Sequence, residues 1–234
     1  MRHRRKKAWV MFARRVLAMA MFLGLLGDME YVSAEKRPMI ALTFDDGPGP
    51  YTKRLVNALA KYNAKATFFV VGSRIENYKE VLKYTAKHGH QIGNHTWNHP
   101  KLTLYGNQTI FNQLDRTNRK IKQVTGENPH VMRPPYGSYN DIVRSQAKMP
   151  VILWNVDTLD WKHRNPKMTQ QYIWNGAKSG AIILMHDIHE PTVEAVEQIL
   201  PKLTKKYRLV TLDKLAKAKK KKLQKGKIYY NITS

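Results

Sequence analysis

The 234-residue sequence contains no cysteine. Disulfide scaffolds, thiolate zinc sites and cysteine nucleophiles are excluded together, so any metal must be held by histidine and carboxylate. Acidic residues are scarce as well: 17 Asp and Glu stand against 41 Lys and Arg, a formal charge of +24. Such a charge draws a protein toward polyanions. No basic groove interleaved with aromatics and no recognition-helix pattern accompanies it, so no nucleic-acid partner is expected. Long hydrophobic runs are missing too. The one conspicuous apolar run, residues 16–27, covers about 18 Å as a helix, short of the ~30 Å hydrocarbon core. That excludes a polytopic membrane protein, and an apolar share of 42% excludes wholesale disorder. No internal repeat or linker divides residues 36–213, and the length suits one domain.

The apolar run follows a basic start (Arg2, Arg4, Arg5, Lys6, Lys7) and precedes Val32, Ser33 and Ala34, the layout of a secretory signal. Residues 1–34 are expected to be a signal peptide cut before Glu35 or, alternatively, an N-terminal anchor in which Arg14 and Arg15 snorkel. Either places the rest of the chain outside the cytoplasm of a bacterium, secreted or held at the cell surface. Without residues 1–34, 34 Lys and Arg against 15 Asp and Glu still leave +19. Much of this excess falls in residues 214–234, at Lys217, Lys219, Lys220, Lys221, Lys222, Lys225 and Lys227. That stretch reads as a solvated, partly disordered basic tail, able to touch anionic wall polymers or a membrane surface.

Between the two ends, short apolar runs at 39–44, 66–71, 91–95, 151–155 and 181–186 read as strands, and 51–62, 76–88, 107–124 and 193–205 have helical length and periodicity. Strands apolar on both faces imply a parallel sheet covered by helices, hence an α/β barrel or a doubly wound sheet.

The polar residues crowd where these strands end. The first strand runs into Thr43-Phe44-Asp45-Asp46-Gly47-Pro48, adjacent carboxylates before a Gly-Pro turn. One carboxylate of such a pair can bind a metal while the other moves a proton. The third strand runs into His95-Thr96-Trp97-Asn98-His99, whose two imidazoles a helical turn or a tight loop would aim at one point. Two imidazoles and a carboxylate make an open metal site. Arg133-Pro134-Pro135-Tyr136-Gly137 is a rigid turn able to present a backbone N–H to an oxyanion. Asp157-Thr158-Leu159-Asp160-Trp161 follows the fourth strand, and Leu184-Met185-His186-Asp187 ends the fifth, so a carboxylate–histidine dyad is within reach. Taken singly, each cluster has an ordinary structural explanation as a turn, a cap or a hydrogen-bonded histidine.

In this order the five clusters resemble the signature motifs of the polysaccharide deacetylase family, carbohydrate esterase family four, over residues 38–212. The resemblance implies a distorted (β/α) barrel of about seven units, with residues 35–213 as the catalytic domain. It implies removal of acetyl groups from N-acetylated amino sugars, with Asp46, His95 and His99 as metal ligands and Asp45 as general base. It further implies that Arg133 tethers that base, that the Tyr136 N–H serves the oxyanion, that His186 is a general acid oriented by Asp160, and that Trp161 and Leu184 line the pocket for the acetyl methyl. The expected cofactor is one divalent ion, zinc first, with cobalt or manganese also suited to this donor set.

Peptidoglycan N-acetylglucosamine is the expected substrate, because a basic exported enzyme is drawn to an anionic wall. Chitin oligomers and N-acetylmuramic acid stay open as substrates. A catalytically silent binder of wall polymers on the same fold is the alternative from another class, although its expected mark, a broken motif, is absent. A zinc peptidase would more naturally show His-Glu-x-x-His, which this sequence lacks.

Overall fold

The computed structural model describes residues 37–233; the signal or anchor expected in residues 1–34 lies outside the described residues. Among the described residues the strands are β1 (Met39–Asp45), β2 (Thr67–Val70), β3 (Gln91–Asn94), β4 (Val151–Ile152), β5 (Val156–Asp157), β6 (Ile182–His186), β7 (Arg208–Leu209) and β8 (Ile228–Tyr229). The α-helices are α1 (Thr52–Ala60), α2 (Lys79–Lys87), α3 (Asn107–Thr125), α4 (Asp141–Ala147), α5 (Asp160–His163), α6 (Pro166–Gly176), α7 (Glu190–Lys206) and α8 (Leu212–Ala218). Every strand read from the sequence is present, and the four expected helices correspond to α1, α2, α3 and α7.

All named strand pairs are parallel. The main sheet runs β3, β2, β1, β6, β5. It closes through Met132, which bridges Asn94 on one side and Val151 on the other; β4 then leads along the chain to β5 and back to β6. β7 enters only at the base, where the Lys65 N–H donates to Leu209 O at 3.0 Å and the Val210 N–H to Ile40 O at 3.1 Å. The result is a distorted, incomplete barrel with helices outside.

Alternation along β1 sorts its side chains. Ile40, Leu42 and Phe44 join the large cluster that packs against α1 and α7, whereas Ala41 joins a second cluster with Phe69, Val131, Ile152 and Ile182. Thr43 and Asp45 share the parity of Ala41 and so lie on the inner face. Parallel register sets Thr43 beside Leu184 and Asp45 beside His186 on β6. Helix ends follow sequence cues: Asn140, Asn165 and Thr211 accept from the backbone N–H three residues on at the starts of α4, α6 and α8, and Gly126, with φ 85°, ends α3.

The Lys-rich segment corrects the expectation of a solvated tail. Leu212, Leu215 and Ala216 of α8, with Tyr229 and Ile232, pack into the inner cluster at the barrel base. β8 pairs with β4, and the Ile232 N–H donates to Gly180 O at 2.9 Å. Lysines there project outward; Lys219 Nζ donates to Ser179 Oγ at 2.9 Å. Charge is carried by one face of a folded segment, and its apolar residues complete the core.

No helix among the described residues is long and apolar enough to cross a membrane.

Candidate metal centre and active site

Adjacent strand residues point to opposite faces, yet Asp45 and Asp46 serve one site. The backbone resolves this: Asp46 adopts φ 70°, a left-handed conformation that Asp tolerates better than most residues. The turn carries its carboxylate back over the mouth that Asp45 already faces. The segment after β3 is treated the same way. Thr96 at φ 68° and His99 at φ 61° fold it into a tight loop and not a helical turn. That loop is held by Asn94 Oδ1, which accepts from the Thr96 N–H at 2.7 Å, and by Gln113 Oε1 of α3, which accepts from the Trp97 and Asn98 N–H groups at 2.9 and 3.2 Å.

One ligating atom each from Asp46, His95 and His99 lie within 4.8 Å of one another. Asp46 Oδ1 is 3.5 Å from His95 Nε2 and 3.2 Å from His99 Nε2, and it is buried without a hydrogen-bond partner among the described residues. An orphaned buried carboxylate oxygen facing two imidazole nitrogens is the donor set a divalent cation satisfies. The tautomer agrees: His95 Nδ1 donates to Arg133 O at 2.7 Å, leaving the Nε2 lone pair for a ligand in the neutral ring. Burial works against charge on Asp46, but His95, His186 and His99 together hold its carboxyl well below the usual range. For His95 too, burial opposes charge, and Asp45 and Asp46 outweigh it to raise the imidazole. His99 is lowered, by burial and then by His95.

Asp45 is buried and paired with Arg133, which is wholly buried. The guanidinium is consumed by the barrel. Nη1 donates to Asp45 Oδ1 at 2.7 Å and to Thr43 Oγ1 at 2.9 Å, Nη2 to Leu153 O at 2.9 Å, and Nε to Ile152 O at 3.0 Å. The Phe69 ring lies 4.3 Å away. Asp45 Oδ2 is thereby left toward the cluster, 3.7 Å from His95 Nε2.

Across the mouth, His186 Nδ1 lies 2.9 Å from Asp160 Oδ1. Asp160 Oδ2 accepts from the His186 N–H at 2.8 Å and from Thr192 Oγ1 at 2.7 Å, so the carboxylate is fixed from two elements. Burial pulls the imidazole down, but its bond to Asp160 and that residue's charge, with Asp45 and Asp46, raise it to about 9.

Tyr136, with φ 60°, carries an exposed ring set edge-on to His99, 4.8 Å between centroids. Leu184 is buried on the inner face one layer beneath His186, and Trp161 is half exposed at the start of α5 beside Asp160. Asp46, Thr96, His99 and Tyr136 are four of nine non-glycine residues with positive φ among the described residues. Strain is thus concentrated at this mouth, as it is in functional sites generally.

Every residue singled out from the sequence therefore lies at the C-terminal end of the barrel or directly beneath it. His88 and His90, near in sequence to His95, sit at the opposite end before β3. Sequence reasoning missed Thr43, Thr192 and His189, whose ring is 6.0 Å from that of His186. Thr43 was findable, since it shares the strand parity of Asp45; nothing local in the sequence marks the other two.

The fold and this mouth define a class: the chain belongs to the polysaccharide deacetylase family, whose model matches residues 33–150. It is similar to the peptidoglycan-N-acetylmuramic acid deacetylase PdaC of Bacillus subtilis, 45% identical over 79% of this chain and 40% of that protein. It is also similar to the peptidoglycan-N-acetylglucosamine deacetylase PgdA of Listeria monocytogenes, 42% identical over 87% of this chain and 44% of that protein. The chain thus spans less than half the length of these two relatives. Among solved structures it resembles a T48 deacetylase with substrate, with TM-score 0.80 and 42% identity, covering 84% of this chain and 98% of that one.

Proposed function

We propose that the chain is a metal-dependent N-deacetylase that removes acetyl groups from amino sugars of a cell-wall polysaccharide outside the cytoplasm, with N-acetylglucosamine of peptidoglycan as the substrate. The observation that carries this reading is the convergence on one mouth of an Asp–His–His cluster, a carboxylate clamped by a buried arginine, and a separate Asp–His dyad. Hydrolysis of an amide needs an electrophile, a base and an acid, and the three groups match those needs. The choice of sugar rests on the relative matched over the larger share of this chain.

Asp46, His95 and His99 would hold the divalent ion, zinc by preference; bound there, it supplies a Lewis acid and a positive charge. Asp45 takes the proton of the attacking water through Oδ2, because Oδ1 is occupied by Arg133. As the carbonyl carbon becomes tetrahedral, the Tyr136 N–H donates to the developing oxyanion, a contribution of about 3 kcal/mol. The C–N bond then breaks, and His186, held in orientation by Asp160, gives its proton to the departing nitrogen. Leu184 beneath and Trp161 at the rim enclose the acetyl methyl.

The test is acetate release from purified peptidoglycan and from N-acetylglucosamine oligomers. Asp45→Asn should retain metal and lose turnover by at least ~100-fold. Wild-type protein that binds metal but frees no acetate from either substrate would overturn the reading.

A further inference from the structure

At the end of the barrel opposite the metal cluster, α8 closes the strands from below. β7, which precedes it, pairs with Met39 and Ile40 at the start of β1, and Leu212 and Leu215 of α8 are buried in the inner cluster. The outer side of this plug is concave. A cavity of about 500 Å³ lies between α8, the loop after it and the residues leading into β4. A second, of about 760 Å³, runs on along α4. Lys148 and Lys225 line both, so the two form one groove, and Lys217 and Lys221 line its first part. The loop that bears these lysines is built into the fold. The Lys221 N–H donates to Ala216 O at 2.9 Å, the Gln224 N–H to Tyr229 Oη at 3.0 Å, and the Gly226 N–H to Met149 O at 3.0 Å. Gly226, at φ 69°, is pressed so close to α4 that a Cβ there would lie 2.9 Å from Arg144 O.

The charge of the groove is not neutralised from within. Among the described residues the one lysine ion pair is that of Lys120 with Glu76, far from the groove in sequence. The two carboxylates that line the groove are otherwise engaged: Asp213 Oδ2 is 3.4 Å from His130 Nδ1, and Asp141 Oδ1 accepts from Arg144 Nη1 at 2.9 Å. Four uncompensated cations on a fixed concave surface attract negative charge. Lysine meets phosphate as a point charge, whereas carboxylates are matched better by the fork of an arginine, and the arginine here is already paired with Asp141. One phosphate against one exposed lysine gains little in water, but a chain with a phosphate in every repeat gains at each lysine in turn. A flat bilayer would meet only the rims. None of the large apolar side chains exposed among the described residues lines either cavity, so nothing there would enter an acyl layer.

We propose that this basic groove at the barrel base docks an anionic phosphodiester polymer of the cell wall, leaving the catalytic mouth free at the other end. The groove does not depend on the deacetylase reading, because docking is read by equilibrium binding without turnover.

Using the full chain, affinity for poly(glycerol phosphate) is measured by calorimetry, beside inorganic phosphate, poly-L-glutamate of equal charge, and vesicles of phosphatidylglycerol and phosphatidylcholine. With four lysines each meeting a phosphate, affinity for the polymer should fall roughly 50-fold between about 50 and about 200 mM salt, and only about 7-fold in Lys217→Gln/Lys225→Gln, which halves the contacts. Lys53→Gln/Lys167→Gln makes the same change of net charge at the starts of α1 and α6 and should behave as wild type. Inorganic phosphate should bind far more weakly than the polymer at equal phosphate concentration. Failure to bind the polymer, or equal losses in the two double variants, would overturn the groove. Tighter binding to the vesicles than to the polymer, per phosphate, would overturn the polymer in favour of a membrane surface. Equal binding of polyglutamate would overturn the phosphodiester.

Discussion

Replacing Asp160 by Asn isolates the electrostatic part of the dyad with little change of shape. In the native arrangement Asp160 Oδ1 meets His186 Nδ1, and Oδ2 accepts from the His186 N–H and from Thr192. An asparagine oxygen in the Oδ2 position keeps the last two bonds, but its NH2 group then faces Nδ1. A neutral ring with a lone pair on Nδ1 suits that donor, and an imidazolium does not. Burial, which lowers the imidazole, persists in the variant. His186 should therefore fall from about 9 to its ordinary 6.5 or below. A fall from about 9 to 6.5 corresponds to about 3 kcal/mol. The sign follows from linkage: a histidine raised in the folded state stabilises fully below about 6.5, and the benefit is lost as pH rises through 9. Titration of metal-free protein followed by histidine ring NMR should show the shift. Urea unfolding should show wild type more stable than the variant by about 3 kcal/mol at pH 6 and nearly equal to it at pH 10. A variant whose His186 still titrates near 9 would refute the assignment of its charge to Asp160.

Arg133→Met leaves Asp45 buried without its partner, a loss of ~3–5 kcal/mol that should lower the melting temperature by roughly 10 °C; a change within 2 °C would show that the guanidinium network contributes little. Chelation of the metal should abolish acetate release and lower thermal stability, both restored by zinc; full activity in metal-depleted protein, checked by elemental analysis, would contradict the site. Asp187, buried against Gly47 and bonded by Thr52 Oγ1, is pushed up to about 7 by burial, which outweighs that bond. A carboxyl raised from 3.8 when folded favours the folded state at low pH, so its contribution declines as pH rises from about 4 to about 7. The stability difference between Asp187→Asn and metal-free wild type, from denaturation at pH 4.5 and 7.5, should move in favour of the variant at the higher pH, and a constant difference would count against the assignment.

Much of this molecule is legible in its sequence because the barrel converts order into place. Apolar runs mark the strands, and parallel strands all end on one face, so polar clusters immediately after them must converge whatever the intervening helices do. Asp45, His95 and His186 could be found this way. Thr192 could not: it reaches Asp160 from the first turn of α7, a contact set by how that helix packs. The basic C-terminal stretch misleads for a different reason. Eight lysines dominate its composition, yet Leu212, Leu215, Ala216, Tyr229 and Ile232 recur at spacings that bury one side and leave the lysines in water. Net charge describes the solvent face alone, and the apolar minority decides whether the segment folds.

The Asp-Asp pair shows where one-dimensional reading ends. As strand residues, one carboxylate would face the barrel interior and the other the helices, where Phe44 lies. Left-handed backbone at Asp46 removes that conflict, and it also separates the chemistry of two identical side chains. Asp45 stays on the strand, inside, with Arg133 fixed to one oxygen. Asp46 leaves the strand and meets two imidazoles with an oxygen that no donor among the described residues satisfies. Interchanging their roles would require the arginine to reach beyond the strand end, where Leu153 O and Ile152 O could no longer hold it. In the proposed mechanism the division between proton acceptor and metal ligand therefore follows from one backbone dihedral and from a guanidinium committed to the barrel wall, and not from any difference between the two carboxylates themselves.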